Sequence, residues 1–321
     1  MKNKPIIIVA GDPNRIFFEI FFKSIRKKMY RSPLILISCK EELKKQMKKF
    51  RIYKNLNLIN DHNLKKLKLT NKDINVIDVS LKKSTNYKIS NQLTNKYIIE
   101  SFDVAFKLIK NGLTNKLING PINKKKFLNK KFLGITEFIA NKFKQKKIGM
   151  LIYNEELSVC PLTTHLPLKM VTEKITKRLI EEKITLINSF FKTKFNFKPK
   201  IGVTGLNPHC ESTHKYNEDE KIVSLAVLSS IKKKINVKGP IPADTIFLKN
   251  NRKKYNVILG MYHDQVLTPA KTLFEYNAIN ITMGLPFIRI SPDHGPNEKM
   301  VGKNKSNPLS LIKALKFLDK R

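Results

Sequence analysis

Three histidines in this chain share one context. His165 follows the run 157–164, His209 follows 200–208, and His263 follows 255–262, so each stands at or just past the end of an apolar stretch. Imidazole is a common ligand for divalent metals. Three imidazoles with coordination positions left over is the stoichiometry of a catalytic metal site. If the three runs are parallel neighbouring strands, the rings converge on one edge of a sheet. Asp264, beside His263, and Asp244 are carboxylates suited to fixing imidazole tautomers. Spacing alone leaves a second reading open, three unrelated histidines each satisfied locally, because no short HExxH-type motif forces them together. His62, His214 and His294 lie in polar stretches or turns and read as surface or loop residues.

A second set of residues could hold an anion. Lys271, Asn280 and Arg289 flank the strands after the His263 run, and an ammonium, an amide and a guanidinium are suitable donors to phosphate. Lys271 also fits ordinary surface charge. Arg289 does not, because it interrupts the apolar run 287–290, where a charge needs a partner. No GxGxxG follows the first strand and no GxxxxGK[ST] occurs, so a nicotinamide cofactor must use another kind of loop.

The elements that must position these residues alternate between strand and helix. Strands are predicted at 4–10, 32–39, 74–80 and 117–122, with helices over 15–30, 40–49 and 91–111 and mostly helical structure over 124–145, interrupted at Gly134. The polar stretch 50–73 gives no assignment. Runs 148–153 and 157–162 form a hairpin across Asn154-Glu155-Glu156. A helix over 168–193, a strand over 200–206, a helix over 217–233 and a loop over 239–244 follow. The last elements are strands at 255–261, 280–283 and 287–290, a loop over 293–307 and a helix over 308–319. This alternation argues for an α/β fold, in which ligands bind outside the carboxyl ends of the strands.

Composition narrows the class. The 321 residues suffice for two α/β domains, and 41% hydrophobic content is neither disordered nor membrane-spanning in bulk. No signal peptide or transmembrane run is evident. Cys39, Cys160 and Cys210 are widely spaced and suit a reducing compartment, the cytoplasm. The net charge of +38 invites a nucleic-acid reading, but the 63 basic residues are spread over the whole length and no nucleic-acid module is present. The positive field should instead attract anionic metabolites.

Ordered motifs extend these readings. Thr164-His165-Leu166-Pro167-Leu168, Gly205-Leu206-Asn207-Pro208-His209, Gly239-Pro240 with Pro242-Ala243-Asp244-Thr245, Met261-Tyr262-His263-Asp264-Gln265, and Gly284-Leu285-Pro286-Phe287-Ile288-Arg289 with Asp293-His294-Gly295 occur in this sequence. Gly120-Pro121-Ile122-Asn123-Lys124 and Thr136-Glu137-Phe138 precede them. Together they resemble the 4-hydroxythreonine-4-phosphate dehydrogenase family of pyridoxal phosphate biosynthesis, over a span from Gly11 to the C-terminus. The resemblance implies two α/β/α domains with a cleft between them, as in isocitrate and isopropylmalate dehydrogenases. The expected division is 1–120 plus 275–321 for the cofactor domain and 121–274 for the domain with the metal ligands and dimer interface. It implies a homodimer with active sites at the interface, no nucleic-acid or membrane partner, and a divalent metal (Zn2+, Mg2+, Mn2+ or Co2+) on His165, His209 and His263, one of them from the other subunit. It implies substrate contacts from Thr136, Lys271, Asn280 and Arg289, and a cofactor loop at 293–307 with Asp293, His294, Gly295, Lys299 and Asn304. The implied reaction is oxidation of a small phosphorylated hydroxy-amino acid by NAD or NADP, then decarboxylation, with Asp244 or Asp264 as base.

The chain departs from the family pattern in places. The first loop usually reads GDPAGIGPE, whereas Arg15 and Phe17 replace two glycines here, and the usual histidine before Thr136 is Ile135. The second change removes a substrate-phosphate contact. The cofactor loop usually carries aspartate where this chain has Lys299, which favours the 2′-phosphate of NADP. These changes leave room for two alternatives: oxidative decarboxylation of a threonate or erythronate phosphate, or a catalytically weakened binding protein on the same fold.

Overall fold

A computed structural model describes residues 3–13, 16–27, 29–60, 69–81, 91–122, 134–211, 217–292 and 300–321. In chain order the strands and longer helices begin β1 (Ile6–Val9), α1 (Phe17–Lys27), β2 (Leu34–Ser38), α2 (Lys40–Lys49), β3 (Leu56–Leu58), β4 (Ile74–Asp78), α3 (Asn91–Lys110), β5 (Lys116–Asn119) and α4 (Ile135–Lys142). They continue with β6 (Gly149–Tyr153), β7 (Ser158–Pro161), α5 (Lys177–Phe195), β8 (Ile201–Thr204), α6 (Leu225–Lys232), β9 (Val237–Ile241), β10 (Val257–Gly260), α7 (His263–Phe274) and β11 (Ile279–Met283). β12 (Ile288–Pro292) and α8 (Leu309–Asp319) complete the chain. Two compact units result, Met1–Lys144 with Leu285–Arg321, and Gln145–Gly284. The chain thus passes between units at 144/145 and 284/285, later than the 120/121 and 274/275 read from sequence. The α4 segment packs into the first unit's core through Ile135, Phe138 and Ile139, and β11 pairs with β6.

In the first unit the strand order is β3-β4-β2-β1-β5-β12, and every pairing is parallel. All four residues of β1 are buried, as expected where helices cover both faces of a parallel sheet. Ile7, Val9, Ile35, Ile37 and Leu117 share a core with Phe102 and Phe106 of α3 and Phe138 of α4. On α1, Phe17 stacks on Phe21 and Phe18 on Phe22, with ring centres 5.9 and 6.2 Å apart.

The second unit has the order β11-β6-β7-β10-β8-β9. β7, β10, β8 and β9 run parallel, whereas β6 is antiparallel to both β7 and β11. The expected hairpin therefore forms. One face packs Val159, Ile258 and Ile152 against Val266 and Ala270 of α7.

Several expectations change. The stretch 239–244 is not all loop: β9 runs through Gly239-Pro240 at the sheet edge, where proline's missing N–H costs no ladder bond. β3 forms inside the unassigned polar stretch. The helix expected over 168–193 breaks at Ile175, whose ψ is 113°, and restarts where the Thr176 side chain accepts from Leu179 N–H at 3.2 Å. The segment 219–224 is a π-helix leading into α6. Among the described residues, no helix is long and apolar enough to cross a membrane.

Candidate active site

The three histidines do leave adjacent parallel strands. β10 lies between β7 and β8, and His165, His263 and His209 follow the carboxyl ends of β7, β10 and β8. The β7–β10 ladder continues beyond the strands. Leu162 N–H donates to Gly260 O at 2.7 Å, and Thr163 donates to Met261 O through N–H at 3.3 Å and through its hydroxyl at 2.9 Å. This registry brings the His165 and His263 ring centres to 5.9 Å, tilted by 37°. His165 (φ 53°) and His209 (φ 57°) both occupy the left-handed region, which is uncommon for side chains other than glycine and clusters at functional sites.

His263 is the first residue of α7, and Asp264 beside it carries an acidic group in the first helical turn, where the helix dipole favours negative charge. His263 Nδ1 lies 2.6 Å from Asp264 Oδ1. An ionised carboxylate only accepts, so Nδ1 carries the proton and Nε2 keeps its lone pair for a ligand. A ligating nitrogen about 2.1 Å from an ion puts its ring centre roughly 3.2 Å away. Centres 5.9 Å apart can therefore flank one ion, and the pair fits as two ligands of a divalent metal. Among the described residues no group of three His, Cys, Asp or Glu side chains is gathered for one ion, so His209 does not complete the set within one chain. Asp244 is exposed, in the first turn of the short helix Ala243–Ile246. Its charge reaches Cys210, next to His209. Burial, then Asp219, then Asp244 and Glu211 push that thiol up to about 11, against a lowering hydrogen bond at Gly205.

Arg289 and Thr136 meet in the first unit. Arg289 sits on β12 opposite Leu117 of β5, and two residues on from Leu117 is Asn119. Arg289 Nε donates to Asn119 Oδ1 at 2.7 Å and one terminal nitrogen donates to Thr136 Oγ1 at 3.0 Å. Burial lowers the guanidinium to about 10, opposed by Glu137. The partners that sequence demanded for this charge include two neutral oxygens, with a carboxylate nearby. Lys271, in the last turn of α7, and Asn280, on β11, belong to the second unit. Burial lowers the Lys271 pKa.

Of the cofactor-loop residues, Asp293, His294, Gly295 and Lys299 lie outside the described residues, as does Arg15. Asn304 has φ 54°. Its carbonyl accepts from Lys23 Nζ at 2.9 Å, which also donates to Ser306 O at 3.0 Å and Glu19 Oε1 at 2.8 Å. The end of the loop is therefore pinned to α1. Phe17 is buried, and a Cβ on Gly120 would meet its ring at 2.6 Å. Ile135 is buried in the first unit's core beside Phe138. Sequence reasoning missed the polar side chains that hold these residues, namely Asn119, Asp219 and Gln265. All three lie in or next to quoted motifs or a predicted helix start, but their function depends on partners far away in sequence.

The sequence profile of the family described as "Pyridoxal phosphate biosynthetic protein PdxA" matches residues 30–318. The 4-hydroxythreonine-4-phosphate dehydrogenase of Sulfurihydrogenibium sp. (strain YO3AOP1) is 34% identical, over 97% of this chain and 96% of its own. The D-threonate 4-phosphate dehydrogenase of Salmonella typhimurium is 29% identical, over 99% and 98%. The crystal structure of 4-hydroxythreonine-4-phosphate dehydrogenase from Klebsiella pneumoniae superposes with a TM-score of 0.84 at 28% identity, covering 98% of both chains.

Proposed function

The chain belongs to the family of the pyridoxal phosphate biosynthetic protein PdxA, a family of dehydrogenases, and from that membership we propose that it oxidises 4-phosphohydroxy-L-threonine with NAD or NADP, decarboxylation then giving 3-amino-2-oxopropyl phosphate. The observation that carries this reading is the facing pair of imidazoles, His165 and His263, 5.9 Å apart beyond adjacent strand ends. His165, His209 and His263, one of them from a second subunit, would hold a Zn2+, Mg2+, Mn2+ or Co2+ ion, which supplies Lewis-acid polarisation at the substrate oxygen. Asp264 is engaged in orienting His263, which leaves Asp244 as the group to take the hydroxyl proton. Arg289 with Thr136, and in the second unit Lys271 and Asn280, are the donors assigned to the phosphorylated substrate. The loop with Asp293, His294, Gly295, Lys299 and Asn304 would hold the adenosine end of a nicotinamide cofactor, which would supply the hydride acceptor, and Lys299 would tip the preference toward NADP.

A homodimer is part of the reading. Leu225, Leu228 and Ile231 are 47%, 55% and 47% exposed, and their three-residue spacing puts them on one side of α6. The proposed setting is the cytoplasm, which suits the free thiols Cys39, Cys160 and Cys210.

A second reading keeps the chemistry and changes the substrate to a threonate or erythronate phosphate. Ile135, an apolar core residue where the family pattern has histidine, and the D-threonate 4-phosphate dehydrogenase relative favour it. The deciding assay offers both substrate classes to protein loaded with each metal, with NAD+ and NADP+, and follows reduced cofactor. Faster turnover of 4-phosphohydroxy-L-threonine supports the first reading, and faster turnover of the sugar-acid phosphate supports the second. No turnover by folded, metal-loaded protein overturns both. A Lys299→Asp variant with an unchanged NADP/NAD ratio of kcat/KM removes the cofactor preference.

A further inference from the structure

The second unit contains a tie across the strand ends that carry the histidines, and we infer that Gln265 and Asp219 are positioning residues of the metal site, fixing the turns that present His263 and His209. The inference rests on the reading that these histidines hold a divalent metal. The backbone ladder links β10 to β7 as far as Met261 and Thr163. On the other side the β10–β8 register ends at Leu259 opposite Val203, before either turn begins. From there a side chain takes over. Gln265 Oε1 accepts from Met261 N–H at 2.7 Å and from the Thr204 hydroxyl at 2.7 Å, and its Nε2 donates to Gly205 O at 2.7 Å.

Met261 leads into Tyr262-His263, and Thr204-Gly205 lead into the turn at His209. One amide therefore ties the turn that carries His263 to the turn that leads to His209. Gln265 is the third residue of α7, and its bond back to Met261 ties the start of that helix to the strand end before it.

Asp219 secures the other end of the tie. It is fully buried, yet its two oxygens accept from Leu206 N–H at 2.6 Å and Asn207 N–H at 2.9 Å. A buried carboxylate is costly without such charge-assisted bonds. Backbone amides satisfy it here, and the two bonds fix the turn that leads to His209. Gly205 leaves room for the arrangement: a Cβ there would lie 2.5 Å from Cys210 Sγ and 2.9 Å from Asp219 Oδ1.

The test uses the full-length apo protein in its native oligomeric state, titrated with Co2+ while the visible d–d bands and affinity are recorded. Gln265→Leu removes all three bonds, whereas Gln265→Glu keeps the acceptor oxygen. Loss of groups that orient metal ligands typically weakens binding about 10–100-fold. The expected result is a loss of that size with displaced bands for Gln265→Leu, a smaller loss for Gln265→Glu, and weakened binding for Asp219→Asn. If Gln265→Leu fails to fold, the other two variants carry the test. Wild-type affinity and bands in variants whose melting temperature falls would overturn the inference, leaving the tie purely structural. His263→Ala separates the two levels. If it leaves the wild-type spectrum intact, the metal reading fails and this inference with it. If it abolishes the spectrum while the Gln265 and Asp219 variants match wild type, only the inference fails.

Discussion

Arg289 keeps a positive charge inside a sheet, where it donates to the neutral oxygens of Asn119 and Thr136. Burial pulls its pKa down to about 10, so it remains a cation at neutral pH. Its planar fork serves Asn119 and Thr136 at the same time, a geometry that a lysine ammonium does not reproduce. Arg289→Lys is expected to raise the KM of the phosphorylated substrate by about tenfold or more, a loss of roughly 1.4 kcal/mol, with circular dichroism unchanged. An unaltered KM would remove Arg289 from the substrate site. Lys116 gives a prediction about pH. Burial chiefly lowers its pKa from 10.5, Asp319 opposes this, and Lys4 adds to it. Its ammonium donates to Ser32 Oγ at 3.2 Å and Lys4 O at 3.3 Å. Between the lowered value and 10.5 the unfolded chain holds a proton that the fold has released, so this group makes stability rise with pH in that window. Lys116→Met should remove that part of the rise, seen as a melting-temperature difference from wild type that changes across the alkaline window and is constant below it. At this scale, sequence exposed the residues whose surroundings clash with their type, such as Arg289 in an apolar run. It did not expose Asn119, Asp219 or Gln265, because a buried amide or carboxylate is recognisable only through partners that the fold supplies.

Among the elements, the strands that carry the histidines were legible because β7, β8 and β10 are mostly apolar and buried along their whole length. Their adjacency was not, since β7 and β10 pair across a long intervening segment. Two edge strands escaped notice for opposite reasons. β3 is short and mostly exposed, with burial falling to Leu58 at 48% exposure, so it has no core pattern. β9 carries Gly-Pro, which normally signals a loop and is accommodated here by its edge position. The turn after β8 leaves no room for a side chain at Gly205. Gly205→Ala must displace Cys210 or Asp219, and overpacking of this kind costs about 1–3 kcal/mol. The expected readout is a lowered thermal midpoint together with weaker Co2+ binding. A variant as stable as wild type would show that the turn yields freely.

For the whole molecule, the apolar stripe on α6 makes the oligomeric state testable. Leu228→Glu places a charge in the middle of Leu225, Leu228 and Ile231. Sedimentation should shift from dimer to monomer, with activity lost in parallel if a histidine crosses between subunits. A variant that sediments as wild type would place the interface elsewhere. The division of the chain has a further consequence, for synthesis. The second unit is one unbroken segment, Gln145–Gly284, whereas the first needs Leu285–Arg321 to be complete. β12 pairs with β5, Ile288 against Lys116 and Arg289 against Leu117, so the strand that finishes the first sheet is among the last made. Domains generally fold as units during synthesis, at about 5–20 residues per second. On the ribosome, the segment bearing the histidines can therefore mature while β5 still presents an open parallel edge. Arg289 arrives with the strand that closes that edge, so its buried charge comes into place only when β12 joins the sheet.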